Sequence, residues 1–216
     1  MAMSESAAAS RAIHWLADSR LGKWFWYQHA LTVYSFGLQP SHAARSPARV
    51  EKDSWTDLQC YRKTHGQPAR DAFLAMSRQR LEAGEHAYTV CEHGELLAWA
   101  WMVPNQRRSW FPAVRQEVRY PDRSCVLYGA FTMPAARGRG LNGALAHARL
   151  ADAVGHYGAA YVFTAISTAN DAAVGAKKGI ELTPWLELSC RVRFGRQQLA
   201  RRVLNDVVGG RPRFDG

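Results

Sequence analysis

Hydrophobic residues along the chain follow two kinds of spacing, one helical and one strand-like. Where apolar residues recur at intervals of three to five positions, the pattern predicts helices. Where they fill short runs of β-forming residues, the pattern predicts strands. The predicted helices cover residues 13–27, 53–61, 68–83, 141–154, 171–178 and 197–208, and the predicted strands cover residues 30–38, 87–91, 96–103, 125–133, 159–167 and 182–194.

Residues that favour helix ends and turns support several of these boundaries. Asp53 or Ser54 is expected to cap the helix that follows, because a short side-chain oxygen can accept from its first free N–H groups. Gly84 suits the left-handed position after the next helix. The Gly-containing turn at residues 92–95 joins two apolar runs, so we expect a hairpin over residues 86–103.

The order of these elements predicts an α+β domain with a mixed sheet. The segments 125–133 and 159–167 carry no charged residue, which indicates strands in the middle of the sheet. The sequence has no internal repeat and no low-complexity linker. We therefore expect a single domain over residues 13–210, preceded by a mobile tail at residues 1–12.

The composition agrees with a folded chain and adds a strong positive charge. The chain has 216 residues, of which 47% are hydrophobic, enough for a buried core. With 28 Lys and Arg against 18 Asp and Glu, the formal charge is +10. This excess points to an anionic partner such as a phosphorylated cofactor, an acidic carrier protein or a nucleic acid. No apolar run approaches the ~20 residues of a membrane span.

The four cysteines argue against metal binding and against an oxidising compartment. Cys60, Cys91, Cys125 and Cys190 form no C-x-x-C pair, and no Cys/His cluster has zinc-ligand spacing, so we expect no metal site. The last three lie in apolar runs, as buried reduced thiols do. Because the start of the chain also lacks a secretory signal pattern, we expect a cytoplasmic protein.

The candidate chemistry lies in the Gly- and Arg-rich segment 134–143, between the strand at 125–133 and a helix. Glycines let the backbone approach a ligand closely, and a helix start offers unpaired N–H groups and a positive dipole end. With Arg137 and Arg139, this pattern predicts an anion site suited to a pyrophosphate. No Gly-Lys-Ser/Thr follows, as a Walker A loop requires, and no acidic residue lies about 20 residues on, as a dinucleotide fingerprint requires.

The same segment resembles the pyrophosphate-binding motif of the GNAT superfamily of acyl-CoA-dependent N-acyltransferases. Its pattern, Arg/Gln-x-x-Gly-x-Gly/Ala, is matched by Arg137 and Gly140, with Asn142 at the last position and Gly143 next to it. The resemblance covers residues 85–195 in a matching order. It implies a mainly antiparallel mixed sheet flanked by helices, whose fourth and fifth strands splay apart in the centre.

The resemblance also implies the cofactor and the residues that bind it. Acetyl-CoA or another acyl-CoA would be the co-substrate, its pantetheine arm bound by main-chain groups of the fourth strand and its pyrophosphate by the loop. The implied cofactor-binding residues are Phe131, Thr132, Met133, Arg137, Gly138, Arg139, Gly140, Leu141, Asn142, Gly143, Asn170 and Lys177. An amine would attack the thioester directly, and a strand amide would polarise its carbonyl.

The catalytic residues are less well determined. Tyr128, on the fourth strand of the resemblance, is the candidate catalytic side chain, with simple packing as the alternative. Many family members carry a Tyr that protonates the leaving thiolate, and here its position falls on Lys177 or Gly175. The sequence therefore leaves two hypotheses open: an N-acyltransferase, or a non-catalytic acyl-CoA-binding or sensor protein of the same fold.

The acceptor is the part of the reaction that the sequence describes least. Trp99 and Trp101 alternate on one strand and face the same side, where they either wall an apolar acceptor pocket or pack against helices. An Arg-rich segment, residues 104–121, is expected to be a loop. An amine-bearing small molecule or a peptide is the expected partner. A homodimer stays open, and a nucleic-acid partner is disfavoured because no recognisable motif supports it.

Overall fold

The structure is a computed structural model that describes residues 26–37, 48–170 and 181–206. The strands are β1 (Trp26–Phe36), β2 (Glu51–Lys52), β3 (His86–Glu92), β4 (Glu95–Val103), β5 (Arg108–Phe111), β6 (Gln116–Arg119), β7 (Ser124–Thr132), β8 (Tyr161–Ser167), β9 (Leu182–Arg193) and β10 (Arg196–Val203). The α-helices are α1 (Trp55–Gln59), α2 (Arg70–Glu82) and α3 (Leu141–Gly155), and a short 3-10 turn covers Pro134–Ala136.

Within the described ranges, eight strands form one sheet in the order β10-β9-β1-β8-β7-β4-β3-β2. All neighbours in this sheet pair antiparallel except β7 and β8, which pair parallel. The strands β5 and β6 form a separate hairpin. The α+β class, the mixed and mainly antiparallel sheet and the central place of the two uncharged strands are confirmed.

Helices cover both faces of the β3–β4 region because successive residues of a strand point to opposite sides. Trp99 and Trp101 of β4 pack with Phe73 of α2 on one face. Ala98 and Ala100, one position away, pack with the buried residues of α3 on the other face. Large and small side chains thus alternate along β4. The face with the large side chains packs against α2, and the face with the small side chains packs against α3.

The predicted helix ends are also observed. The Ser54 hydroxyl accepts from the Asp57 N–H at 3.2 Å and caps α1, as one of the two expected caps. Gly84 follows α2 with φ of 82°, in the left-handed region that glycine adopts without strain. The hairpin over residues 86–103 forms with its turn between Glu92 and Glu95.

Two predictions about long segments are wrong. Residues 104–121 form the hairpin β5–β6 rather than a plain loop, and its Val114 and Val118 are buried against β9. Residues 197–208 were expected to be helical, but β10 occupies most of them and pairs with β9 along its full length. Backbone pairing to an available sheet edge overrides a weak helical spacing, and a single sequence does not contain that edge.

Two smaller predictions also need correction. Trp26 and Tyr27 belong to β1 rather than to the predicted helix 13–27, because they pair with the end of β9. On α3, the helical spacing predicts one apolar stripe, formed by Leu141, Ala144, Leu145, Ala148, Ala151 and Val154. Val154 is exposed, however, and Arg149 is buried. The buried face of α3 is therefore rotated relative to the stripe that the apolar residues suggested.

Several predictions fall outside the part of the chain that the structure describes. They are the tail at residues 1–12, most of the helix at 13–27 and the helix at 171–178, which includes Lys177. The domain limits at residues 13 and 210 stay predictions. None of the described helices is long and apolar enough to cross a membrane. Cys125 and Cys190 are buried free thiols, as predicted, whereas Cys91 is only half-buried.

Candidate active site

The strands β7 and β8 separate in the middle of the sheet and leave a slot between them. Their pairing runs from Ser124 opposite Tyr161 to Leu127 opposite Thr164 and then stops. Beyond that point β7 continues along β4, and β8 continues along β1. The resulting cavity has a volume of about 270 Å³. The splayed central strands implied by the resemblance are confirmed.

A β-bulge in β7 widens this slot. Two residues, Gly129 and Ala130, lie opposite a single residue of β4, so neither is part of the β4–β7 ladder. Both are exposed although they lie at the centre of the sheet, and both line the slot. Gly129 has φ of 60°, and a Cβ there would lie 3.2 Å from Cδ1 of Trp101. The bulge requires glycine for its backbone conformation and for space.

The slot brings together side chains from three parts of the chain. Helix α3 contributes Asn142, Ala146 and Arg149, which share one helix face because they are spaced by four and three residues. Tyr128 lines the slot from β7, and Asn170 lies at the end of β8, where its N–H donates to the Ser167 carbonyl at 3.0 Å. Of the predicted site residues, Tyr128, Asn142 and Asn170 therefore meet at this slot.

The start of α3 presents free N–H groups beside the slot. Gly140 is the N-cap residue, with φ of 74°, and no side chain caps this end. The first helical bond joins the Ala144 N–H to the Gly140 carbonyl at 3.1 Å. The N–H groups of residues 141–143 therefore have no acceptor within the helix. Together with the positive end of the helix dipole they form a site for an anion.

The two arginines of the predicted pyrophosphate loop differ in their contacts. Arg139 Nη2 donates to both carboxylate oxygens of Glu92, at 2.7 and 2.8 Å, and is thereby held against the β3–β4 turn. Arg137 is exposed, and its guanidinium donates to none of the described residues. Gly138, between them, has φ of 80°. Arg137 is therefore the arginine whose charge is available to a bound anion.

Residues 131–133 at the end of β7 do not all face the slot. The Met133 N–H donates to the Leu97 carbonyl of the β4 side at 2.8 Å. Hydrogen-bonded and open positions alternate in an antiparallel ladder, so Phe131 also bonds toward β4 and Thr132 turns its main-chain groups to the β8 side. The Phe131 ring packs on Trp99 with centroids 4.7 Å apart. Of these three residues, Thr132 has main-chain groups directed to the open side.

Tyr128 belongs to a polar cluster on the α2 side of the slot that the sequence did not indicate. Its hydroxyl donates to Oε2 of Glu85, and Nε of Arg80 lies 4.0 Å from the same oxygen. The Arg80 guanidinium lies over the Tyr128 ring, 5.1 Å from its centroid. Burial, together with the hydrogen bond to Glu85, raises the pKa of Tyr128 well above its ordinary value. At neutral pH Tyr128 is therefore protonated.

Trp99 and Trp101 lie in the core rather than on the slot surface. Trp101 is fully buried, and Trp99 contacts Tyr61 and Phe73 edge-to-face, with centroids 5.5 and 5.2 Å away. This is the packing alternative that the sequence left open. Trp101 lies directly behind Gly129, so it supports the wall of the slot from the inside.

Arg149 is a slot residue that the sequence analysis missed. It is 4% exposed, and it donates from Nε to the Leu145 carbonyl at 3.0 Å and from Nη1 to the Trp101 carbonyl at 3.2 Å. Burial lowers the pKa of Arg149 to about 10. Its spacing of four and eight residues from the buried Leu145 and Leu141 was a signal that could have revealed it.

Comparisons with known proteins agree with this geometry. The model of the acetyltransferase (GNAT) family matches residues 50–176, more than half of the chain. This chain therefore belongs to the GNAT acetyltransferase family, whose members use an acyl-CoA co-substrate. No curated protein matches the chain in sequence.

Several solved structures resemble this chain at low sequence identity, and the first of them shows the same fold. A Drosophila protein is 14% identical with a TM-score of 0.50, and the match covers 88% of this chain but only 59% of the Drosophila chain. An aminoglycoside N-acetyltransferase in complex with CoA is 19% identical with a TM-score of 0.46, over 60% of this chain and 84% of its own. An N-acetyltransferase from Staphylococcus aureus is 16% identical with a TM-score of 0.44, over 61% and 80%.

Proposed function

We propose that this protein transfers an acetyl or other acyl group from acyl-CoA to an amine on a small molecule or a peptide. The observation that carries the proposal is the slot between β7 and β8, which leads away from the free N–H groups at the start of α3. One end suits a pyrophosphate, and the body of the slot suits an extended arm with amide groups. Membership of the GNAT family supports the same assignment.

The cofactor contacts follow from the groups that are free. The pyrophosphate would accept from the N–H groups of residues 141–143 and from Arg137, whereas the Arg139 side chain stays with Glu92. The pantetheine arm would bond to the main chain of Thr132, which faces the open side. Asn142 adds a side-chain amide at the entrance to the slot. Lys177 stays a predicted cofactor contact outside the described residues.

The proposed reaction is a direct acyl transfer. A neutral amine attacks the thioester carbon, the C–S bond breaks, and its electron pair leaves with the CoA sulfur. The backbone at Gly129 and Ala130 lies outside the ladder with β4, so an N–H of the bulge is available to the carbonyl oxygen as negative charge develops on it. No covalent bond to the protein is needed, because the amine and the thioester meet in one slot.

The proton transfers are assigned to Tyr128 and Glu85. Tyr128, which lines the slot and is protonated at neutral pH, gives its hydroxyl proton to the departing thiolate. The proton that the amine loses passes to Glu85, which hydrogen-bonds the same hydroxyl and returns a proton to it. The products are then an amide and free CoA, and both side chains regain their starting protonation states.

The first experiment is a calorimetric titration with acetyl-CoA, followed by thiol-release assays with a panel of amines. We expect micromolar binding at one site per chain and turnover of at least one amine. Absence of CoA binding would contradict the proposal. Binding without turnover of any amine would instead favour the non-catalytic acyl-CoA-binding or sensor alternative, which the missing family Tyr motivates.

The role of Tyr128 is tested with Tyr128→Phe. We expect this change to lower kcat by roughly 10- to 100-fold, the usual range for general acid catalysis, without weakening CoA binding. Tyr161→Phe is the matched control, because Tyr161 lies on the neighbouring strand but does not line the slot. Equal kcat values for the two variants would show that Tyr128 takes no part in the proton transfer.

A further inference from the structure

Arg149 is a buried cation that faces the proposed acyl-CoA slot. Among the described residues that line the slot, it is the charged one. Its Nε and Nη1 atoms donate to the main-chain carbonyls of Leu145 and Trp101. Its Nη2 donates to none of the described residues. The guanidinium therefore has N–H groups left for a ligand.

The charge of Arg149 has no counter-ion in the part of the chain that the structure describes. No described carboxylate lies within ion-pair distance of the guanidinium, and Asp152, one turn along α3, is bound to Lys52 and Tyr88 instead. Although burial lowers the pKa of Arg149 to about 10, the group stays charged at neutral pH. A buried cation without an anion is unfavourable, so the slot favours a ligand with negative charge at this point.

A purely structural role does not require this charge. The bulge in β7 lies next to the pair of Trp101 and Tyr128, and the Trp101 carbonyl accepts from Arg149. A neutral side chain with an N–H group, such as glutamine, could donate that bond without the cost of desolvating a cation. The positive charge itself therefore needs a different explanation.

Arg149 lines the slot two turns beyond the start of α3. Asn142, Ala146 and Arg149 follow one face of α3, and at 1.5 Å per residue the first and last are about 10 Å apart along the axis. A ligand with its phosphates at the start of α3 extends along this face towards Arg149. Its far end then lies between the guanidinium and the bulge at Gly129 and Ala130.

We propose that the acyl group this protein prefers carries a terminal carboxylate, as in the CoA monothioester of a short dicarboxylic acid, and that Arg149 binds that carboxylate. The inference rests on the proposed function, because it assigns the acyl group of the same co-substrate. A guanidinium and a carboxylate form paired, charge-assisted hydrogen bonds, which give direction as well as charge balance. The carboxylate takes no part in the transfer, in which the same C–S bond breaks.

The test compares two thioesters with the same number of acyl carbons. The unaltered protein is titrated calorimetrically with succinyl-CoA and with butyryl-CoA. The acyl group of the first ends in a carboxylate, and that of the second ends in a methyl group. We expect succinyl-CoA to bind at least roughly 10-fold more tightly, as a charge-assisted pair in a desolvated site allows. In Arg149→Gln the preference should fall below about 3-fold, since the neutral side chain keeps a donor for Trp101 but carries no charge for a carboxylate.

The possible results distinguish the acyl assignment from the proposed function. A clear preference for succinyl-CoA in the unaltered protein supports the proposal even if Arg149→Gln fails to fold, and Arg149→Lys then provides a charged variant for the same comparison. Equal or tighter binding of butyryl-CoA overturns the acyl assignment, and with normal binding of free CoA it leaves the proposed function intact. No binding of any CoA compound overturns both.

Discussion

Arg137 and Arg139 illustrate how neighbouring residues of one motif acquire different roles. They are separated by a single glycine, and both were expected to bind a pyrophosphate. Glu92, on a hairpin turn 47 positions away, binds Arg139 through both carboxylate oxygens. Arg137 has no such partner among the described residues, so its charge is free to act on a ligand. At the residue scale, the partners decide which of two similar side chains has its charge available to a ligand.

This difference predicts unequal effects of two alanine variants on CoA binding. Arg137→Ala should weaken binding roughly 10-fold or more, because a charge-assisted contact to phosphate contributes about 1.5–3 kcal/mol. Arg139→Ala serves as the matched control and should weaken binding by less than about 3-fold. Calorimetric titration with CoA measures both. A larger loss for Arg139→Ala would mean that it leaves Glu92 when the cofactor binds.

The bulge in β7 divides the strand into a part that belongs to the core and a part that borders the slot. Up to Leu127 the strand pairs on both sides and is part of the core, and after Gly129 it pairs only with β4. The extra residue in the bulge exposes the backbone where β8 departs. Beside the bulge, the Trp101 carbonyl accepts from Arg149 of α3. At the scale of the element, one inserted residue widens the slot at the point where β7 and β8 separate.

Replacing the bulge glycine should therefore destabilise the protein. Gly129→Ala forces a side chain into a left-handed conformation and places its Cβ 3.2 Å from Trp101 Cδ1. We expect a loss of about 1–3 kcal/mol in the free energy of unfolding. Gly155→Ala, at the end of α3 with open space around it, should have no effect or a gain of up to about 1 kcal/mol. Denaturant unfolding compares them, and equal stabilities would argue against strain at the bulge.

At the scale of the whole molecule, α3 connects the separate parts of the candidate site. Its first turn has the free N–H groups that are proposed to bind an anion, and Arg149 on its third turn lines the slot. Near its C-terminal end, Asp152 accepts from the Tyr88 hydroxyl at 2.7 Å and from Lys52 Nζ at 2.9 Å, which attaches the helix to β3 and β2. Although burial alone would raise the pKa of Asp152, these two hydrogen bonds hold it below its ordinary value.

The lowered pKa of Asp152 predicts a pH-dependent contribution to stability. A carboxylate with a lowered pKa in the folded state stabilises the protein above its unfolded pKa and loses that effect as the pH falls through the folded value. Asp152→Asn should therefore cost about 1 kcal/mol near pH 7, a modest value for a partly exposed pair, and progressively less below about pH 4. Thermal unfolding across this pH range measures the difference.

The control for this prediction is a carboxylate on the surface. Asp122 pairs with Arg107 at 2.8 Å, but both side chains are about three-quarters exposed. Asp122→Asn should leave stability unchanged within error at every pH, because exposed pairs contribute little. A cost for Asp152→Asn that does not shrink in acid would show that the loss comes from packing rather than from charge.

Much of the local structure could be predicted because its causes lie close together in the sequence. The cap at Ser54, the left-handed Gly84 and the β3–β4 hairpin depend on a few adjacent residues. The failures at residues 104–121 and 197–208 have the opposite origin. Both segments became strands because a distant surface or sheet edge was available to them, and spacing within the segment carries no information about it.

The sequence by itself predicted an anion-binding end of the site, because glycine conformations, a helix start and an adjacent arginine are local properties of residues 137–143. It also determined, through uncharged runs, which two strands lie at the centre. Only the tertiary structure decided the rest. Glu85 accepts from Tyr128, Glu92 binds Arg139, and Arg149 donates to the Trp101 carbonyl of β4. These contacts join residues distant in sequence, so they depend on how strands and helices pack together.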